Sequence, residues 1–222
     1  MTLDACTEAL RQHDPDRFGA VLVAQAEDRP ALVTLYALNL EIARAPFQSA
    51  EPMLAEMRLQ WWVDRVAEMG RGTAPPLHDV LTPLWEAWDT RAGDLVGLAE
   101  ARRRDCERQP FDTAPEVIAY VDATAGRLMW AAAQVCGTPD GAREIVGHQA
   151  RGAGIAAWLR ALPQLQAMGL GLARPDPEVV QALATEARDG LRMAARLHRK
   201  VPGRAAAALY PGPRVPRLLS EV

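Results

Sequence analysis

The residues of this chain best suited to chemistry are its acidic pairs and its arginines. Acidic residues four apart share one face of a helix, and two such carboxylates can hold a divalent cation through oxygen ligands. Four pairs have that spacing: Asp4/Glu8, Asp64/Glu68, Asp112/Glu116 and Asp140/Glu144. None is an Asp-x-x-x-Asp motif. The pairs at 112/116 and 140/144 fall at helix starts, where acids complement the macrodipole. Asp64/Glu68 reads as a solvated edge. Arg58 and Arg65 could clamp a phosphate through the planar guanidinium fork, or ion-pair on a surface. Arg160 stands between Leu159 and Ala161, which predicts partial burial and therefore a carboxylate or anion partner, with Glu41 or Asp122 as candidates. His13, His78, His148 and His198 are scattered and lack metal-ligand spacing.

Composition narrows the classes. A chain of 222 residues is long enough for one substantial domain, and 49% hydrophobic with 24% charged residues is ordinary for a globular protein. A net charge of −3 leaves no basic footprint for nucleic acid. Lys200 is the only lysine. Cys6, Cys106 and Cys136 form neither a disulfide framework nor a zinc pattern, which fits a reducing compartment. The polar start Thr2–Glu8 has no signal-peptide character, and no stretch of 18 uninterrupted apolar residues is present. The expected location is cytoplasmic, with peripheral contact to the inner membrane left open.

The elements that must position these residues read as helix after helix. Asp14-Pro15 is an N-cap and N1 pair opening a helix to Gln25. Arg29 to Ala45 follows the helical period through Leu32, Leu35, Tyr36 and Leu38, and Pro46 closes it. Glu51-Pro52 opens a helix to Gly70. The loop 70–76 precedes two helices over Leu77–Gln109 with a break near Gly93. Thr113-Ala-Pro-Glu116 is a capping box for a helix to Cys136, with Gly137 as its stop. Asp140 caps the next helix, ending near Pro163, and Asp176-Pro177 opens a last long one, ending before Pro202. The tail Tyr210–Pro216 is too proline-rich to be regular. No segment alternates with period two, so the expected fold is all-α, one domain over 1–222.

Three blocks carry a resemblance to a known family. They are Tyr36-Ala-Leu-Asn-Leu-Glu-Ile42, then Tyr120-Val-Asp-Ala-Thr-Ala-Gly126 with its apolar run to Cys136-Gly137, and then Gly152-Ala-Gly-Ile-Ala-Ala-Trp-Leu-Arg160. In order and spacing, over roughly residues 14–165, they resemble the squalene/phytoene synthase family. The resemblance implies a helical bundle of the isoprenoid-synthase type around a central cavity. The family's enzymes carry an Asp-x-x-x-Asp motif on each of two signature helices. Here Ala43, Arg44 and Phe47 stand near the first, and Ala161 and Leu165 near the second. Magnesium is a hard cation that takes carboxylate oxygens and bridges to substrate phosphates, and Arg44 adds a cation where the enzymes collect anions.

The block Glu51–Trp62, with Arg58-Leu-Gln-Trp-Trp62, looks like the non-catalytic branch of that family, as does Leu159-Arg-Ala-Leu-Pro163. That branch includes a mitochondrial assembly factor of respiratory complex I. The resemblance therefore implies an assembly or binding factor, with a client protein such as a respiratory complex, or a prenyl or lipid ligand in the residual cavity. The alternatives are a divergent prenyl-diphosphate transferase and a lipid or quinone carrier. The expected ligand-binding set is Tyr36, Asn39, Arg44, Arg58, Trp62 and Arg160. No catalytic residue, metal ligand or cofactor is expected. Core packing is the competing reading for both Trp61 and Trp62.

Overall fold

The computed structural model describes residues 3–213 and 215–221. The chain forms two compact units, Met1–Glu107 and Arg108–Val222. The first holds α1 (Leu3–His13), α2 (Pro15–Val23), α3 (Arg29–Arg44), α4 (Pro52–Gly70), α5 (Leu81–Trp88), α6 (Val96–Glu100) and α7 (Arg103–Glu107). The second holds α8 (Ala114–Val121), α9 (Arg127–Val135), α10 (Arg143–Ala167), α11 (Pro177–Leu197) and α12 (Val215–Glu221). Among the described residues the β pairing is a single parallel bridge, Phe111 to Leu172. No helix among them is long and apolar enough to cross a membrane.

The first unit is built around α3. Its buried residues Leu32 to Asn39 and Ile42 run almost all the way around the helix, and a helix that is apolar on every side must be enclosed. It packs against α1, α2, α5 and α6. Trp88 Nε1 donates to the Ala31 carbonyl at 3.1 Å and so pins the end of α5 to the start of α3. By contrast α4 is two-sided. Ala55, Leu59, Trp62, Val63, Val66 and Met69 are buried, while the opposite stripe is not. The break expected near Gly93 is a 3₁₀ stretch, Asp89–Leu95.

The second unit is built on α10. Its sequence Gly152–Ala156 is buried throughout. A Cβ at Gly190 of α11 would lie 2.8 Å from the His148 carbonyl, and one at Gly152 would lie 2.8 Å from the Ala187 carbonyl. Hydrogen in place of a side chain is thus what lets α10 and α11 cross backbone to backbone. Three of the four expected caps fall where the sequence puts them, whereas Asp140 opens a 3₁₀ turn and α10 starts after it, at Arg143, without a side-chain cap. Asp14 accepts from Arg17 N at 3.1 Å, Asp176 from Glu178 N at 2.8 Å and Thr113 from Glu116 N at 3.4 Å. Glu116 reaches back to accept from Asp112 N and from the Thr113 hydroxyl, each at 3.3 Å.

Three other sequence expectations needed correction, and one helix lies where the sequence reading named no element. The helix from Thr113 is interrupted by a π turn at Asp122–Gly126. Helix α10 runs through Pro163 to Ala167. Proline removes one donor and crowds the preceding turn; the carbonyl left without that donor is Leu159's, and α10 nevertheless continues past the ring into a stretch, 161–169, that is at least partly exposed throughout. The tail regains a helix at Val215, with Pro216 in its first turn. Residues 3–13, for which the sequence carried no cap signal, form α1.

Two measurements test this packing. Gly190→Ala gains roughly 1 kcal/mol of helix propensity, but overpacking against a backbone carbonyl costs about 1–3 kcal/mol. Its urea midpoint is expected below that of the parent. Gly147→Ala, with nothing within 4 Å of the added carbon, should move the midpoint the other way. Separately, burial, followed by the charges of Asp79 and Glu41, pushes the Cys6 thiol up to about 11. The thiol donates to the Asp79 carbonyl at 3.3 Å. A raised thiol pKa keeps the group neutral, and ionising it destabilises the fold as pH rises from the ordinary thiol range toward that value. Iodoacetamide labelling of Cys6 at pH 8, read by mass spectrometry, should run at least roughly a hundredfold slower than in urea, as the smaller thiolate fraction requires.

Candidate functional site

The two places where the sequence would position a metal motif carry no carboxylate cluster. Ala43 and Arg44 form the last turn of α3, and Phe47 ends the 3₁₀ turn Ala45–Phe47. Phe47 is 40% exposed. Ala161 and Leu165 lie in the last turns of α10. No group of three or more His, Cys, Asp or Glu among the described residues could hold a metal ion. This donor set does not fit magnesium, which takes oxygen ligands in near-octahedral array.

The predicted ligand residues fall into distinct settings. Tyr36 and Asn39 are buried on α3. The Arg17 guanidinium lies over the Tyr36 ring at 5.5 Å, a cation–π contact. Asn39 is 8% exposed and its side chain makes no hydrogen bond among the described residues. Arg44 is half-buried at the end of α3 and makes no ion pair among the described residues. Arg58 is exposed, and its Nη1 donates to the Gln48 carbonyl at 2.8 Å, tying α4 to the turn that follows α3. Arg65 is engaged by Glu68 one turn on, at 2.7 Å.

The tryptophan pair divides as adjacent helical residues must. Trp62 is buried, edge-on to His78 at 5.2 Å and to Trp61 at 5.0 Å. Trp61, 38% exposed, ends a stripe begun by Met53 and Met57, which are 74% and 61% exposed. Spaced four apart, the three side chains line one face of α4. Such a contiguous apolar surface marks an interaction site more often than a lone exposed leucine does. Methionine suits it, because its unbranched, polarisable side chain adapts to partners.

Arg160 corrects the sequence reading. It is exposed, and its Nη2 donates to the Pro213 carbonyl at 2.9 Å rather than to a carboxylate or anion. Trp158 and Leu159 take the buried positions, and one residue further the helix turns about 100° outward. Asp122, proposed as its partner, belongs to Arg151 instead. Nε and Nη2 of Arg151 donate to the two Asp122 oxygens at 3.0 and 2.6 Å, and Nη1 to Glu186 at 3.1 Å. The Asp122 hydrogen bonds hold this guanidinium still more firmly protonated. Spacing could not reveal the triad, since its members sit on three separate elements. The only sequence signal was an acid within the tyrosine-to-glycine block.

The fold defines a class. It matches the crystal structure of a dehydrosqualene synthase in complex with ligand, with a TM-score of 0.78 and 11% identity, over 99% of this chain and 94% of that one. This is the isoprenoid-synthase type of helical bundle. The squalene/phytoene synthase model matches residues 10–172, and the chain belongs to that family. Among curated proteins it is similar to NADH dehydrogenase (ubiquinone) complex I, assembly factor 6, of Mus musculus, 26% identical over 90% of this chain and 67% of that protein. The Homo sapiens protein of the same name is 26% identical over 71% of this chain and 48% of its own length. The Drosophila melanogaster homolog is 25% identical over 71% and 50%. The chain thus spans from about half to two thirds of these relatives.

Calorimetry with farnesyl diphosphate, run with and without magnesium, checks the site chemistry. Without carboxylates at 43, 47, 161 and 165, magnesium should leave the heat of mixing unchanged. Binding that appears only with the metal would restore the transferase alternative.

Proposed function

We propose that this chain works by binding rather than turnover, as a helper in the assembly of a respiratory membrane complex of the NADH dehydrogenase type. The observation that carries this reading is the exposed Met53–Met57–Trp61 stripe of α4. It lies in a family member whose metal-motif positions hold Ala43, Arg44, Phe47, Ala161 and Leu165. The names of its relatives support the choice of client. The buried face of α4 anchors the helix, and its outer face offers adaptable apolar side chains to a protein surface. Trp61 supplies the kind of aromatic anchor on which interface energy concentrates. Within this reading Tyr36, Asn39 and Trp62 shape and stiffen the α3 and α4 framework, and Arg58 fixes the approach of α4. A cytoplasmic location with peripheral contact at the inner membrane is part of the same proposal.

The test is paired. Membrane NADH oxidation and extracted isoprenoids are measured in one strain lacking the gene. NADH oxidation should fall while squalene and carotenoid pools stay level. Depleted isoprenoids with normal NADH oxidation would reverse the assignment. Complementation with Met57→Asp/Trp61→Asp, shown by circular dichroism to be folded, should fail where the parent gene succeeds.

A further inference from the structure

A cleft of about 450 Å³ opens in the second unit, lined by Ala119, Asp122, Ala123, Gly126, Arg127, Trp130, Arg143, Gly147 and Arg151. One wall comes from α8, the π turn and α9, and the other from α10. Three of its residues, Asp122, Ala123 and Gly126, belong to the π turn itself. A π turn in an α-helix is rare and falls mostly at functional sites. None of the residues expected to bind ligand, Arg160 included, lines this cleft.

The charges in the cleft are unbalanced. Three arginines face one carboxylate, and that carboxylate is consumed. Asp122 is held by both Nε and Nη2 of Arg151, whose remaining Nη1 goes to Glu186. Arg151 is therefore an immobilised, neutralised wall. Arg127 makes no hydrogen bond or ion pair among the described residues, and Arg143 contacts only the Trp130 ring, its guanidinium carbon 5.3 Å from the ring centre. Two positive charges remain without counter-ions at the mouth of a concave site, on a chain whose net charge is −3. Concave walls concentrate such a field on whatever enters.

We propose that this cleft binds the phosphate group of a phosphomonoester, with Arg127 and Arg143 as the two arms of the clamp. Two uncompensated guanidiniums match a doubly charged oxyanion better than a single carboxylate, and the planar fork suits its oxygens. The volume is in the range of small-molecule sites and well beyond a bare ion. The organic part of the ester therefore fits beside Trp130, Ala119 and Ala123. Gly147, where an added Cβ would meet nothing within 4 Å, leaves its part of the lining open to close approach. A soluble ester and a lipid headgroup present the same phosphate chemistry, and the experiment separates them.

The 222-residue chain is titrated with glycerol phosphate, and in parallel sedimented with phosphatidylcholine vesicles with and without phosphatidic acid. Saturable binding in either arm is expected, weakening as salt rises. Saturation by glycerol phosphate assigns a soluble ester, and binding to phosphatidic acid vesicles alone assigns the lipid source. Arg127→Gln/Arg143→Gln should weaken the productive arm by about tenfold or more, as loss of charge-assisted hydrogen bonds implies. Arg192→Gln, which removes an exposed cation of α11 paired with Asp189, should bind as the parent does. No saturable binding in either arm overturns the proposal. So does equal binding by the double variant, or equal competition by a phosphate-free polyglutamate peptide. The readout is binding alone, so a null NADH-oxidation phenotype would leave this site standing and remove only the client assignment.

Discussion

The close crossing of α10 and α11 is the constraint on which the second unit depends. Two helices ordinarily pack 8–10 Å apart, with side chains between them. Here Gly152 and Gly190 remove those side chains, and backbone meets backbone. The same run of small residues puts Gly154 against Val121 and Ala125 on its other side. Helix α10 is therefore gripped from two directions over Gly152–Ala156, and its neighbours are placed relative to it. The π turn, the Asp122–Arg151–Glu186 ion pairs and the arginine cleft all inherit their geometry from that grip.

This constraint gives the glycine-rich block a structural purpose independent of metal chemistry. The chain carries the small residues of this block with Ala161 and Leu165, not carboxylates, in the turns that follow it. The first signature helix shows the same division. Helix α3 retains the enclosed apolar body that holds the first unit together, and ends in Ala43 and Arg44. The residues that build the framework and those compared with the metal motifs are different positions of the same helices, so the two can vary independently. The first unit presents an apolar stripe on α4, and the second an unbalanced basic cleft beside α10.

The two surfaces differ in physical character, and so in what they can hold. The Met53–Met57–Trp61 stripe offers adaptable apolar area without directional polar groups, which suits a protein surface. The cleft offers directional donors on rigid walls, which suits a small oxyanion. Arg58, near the first, is committed to the Gln48 carbonyl, whereas Arg127 and Arg143, at the second, are free of ion pairs among the described residues.

Much of the fold was legible in the sequence, because helix starts, stops and periodicity are local. Asp14, Thr113 and Asp176 cap where their side chains can reach the next turn, and Gly137 ends its helix with φ at 76°. The absence of aspartates from both signature helices was equally plain, being a matter of residue identity. Pro163 misled because the local rule is a preference: the ring costs the helix one hydrogen bond, and α10 continues through it to Ala167. The candidate site was less legible. Which of Trp61 and Trp62 is buried depends on where α4 meets its neighbours, and adjacent residues on a helix are equivalent until that contact is made. Arg160 looked buried among apolar neighbours in sequence, but helical rotation turned it to solvent. Arg151, Asp122 and Glu186 lie 29 and 35 residues from one another in pairs that no spacing rule connects. The sequence by itself determined most of the helices, the family, and which residue types stand at positions 43, 44, 47, 161 and 165. Tertiary packing alone decided which arginines were neutralised and which were left to face a cleft, because charge balance is settled by distance in space.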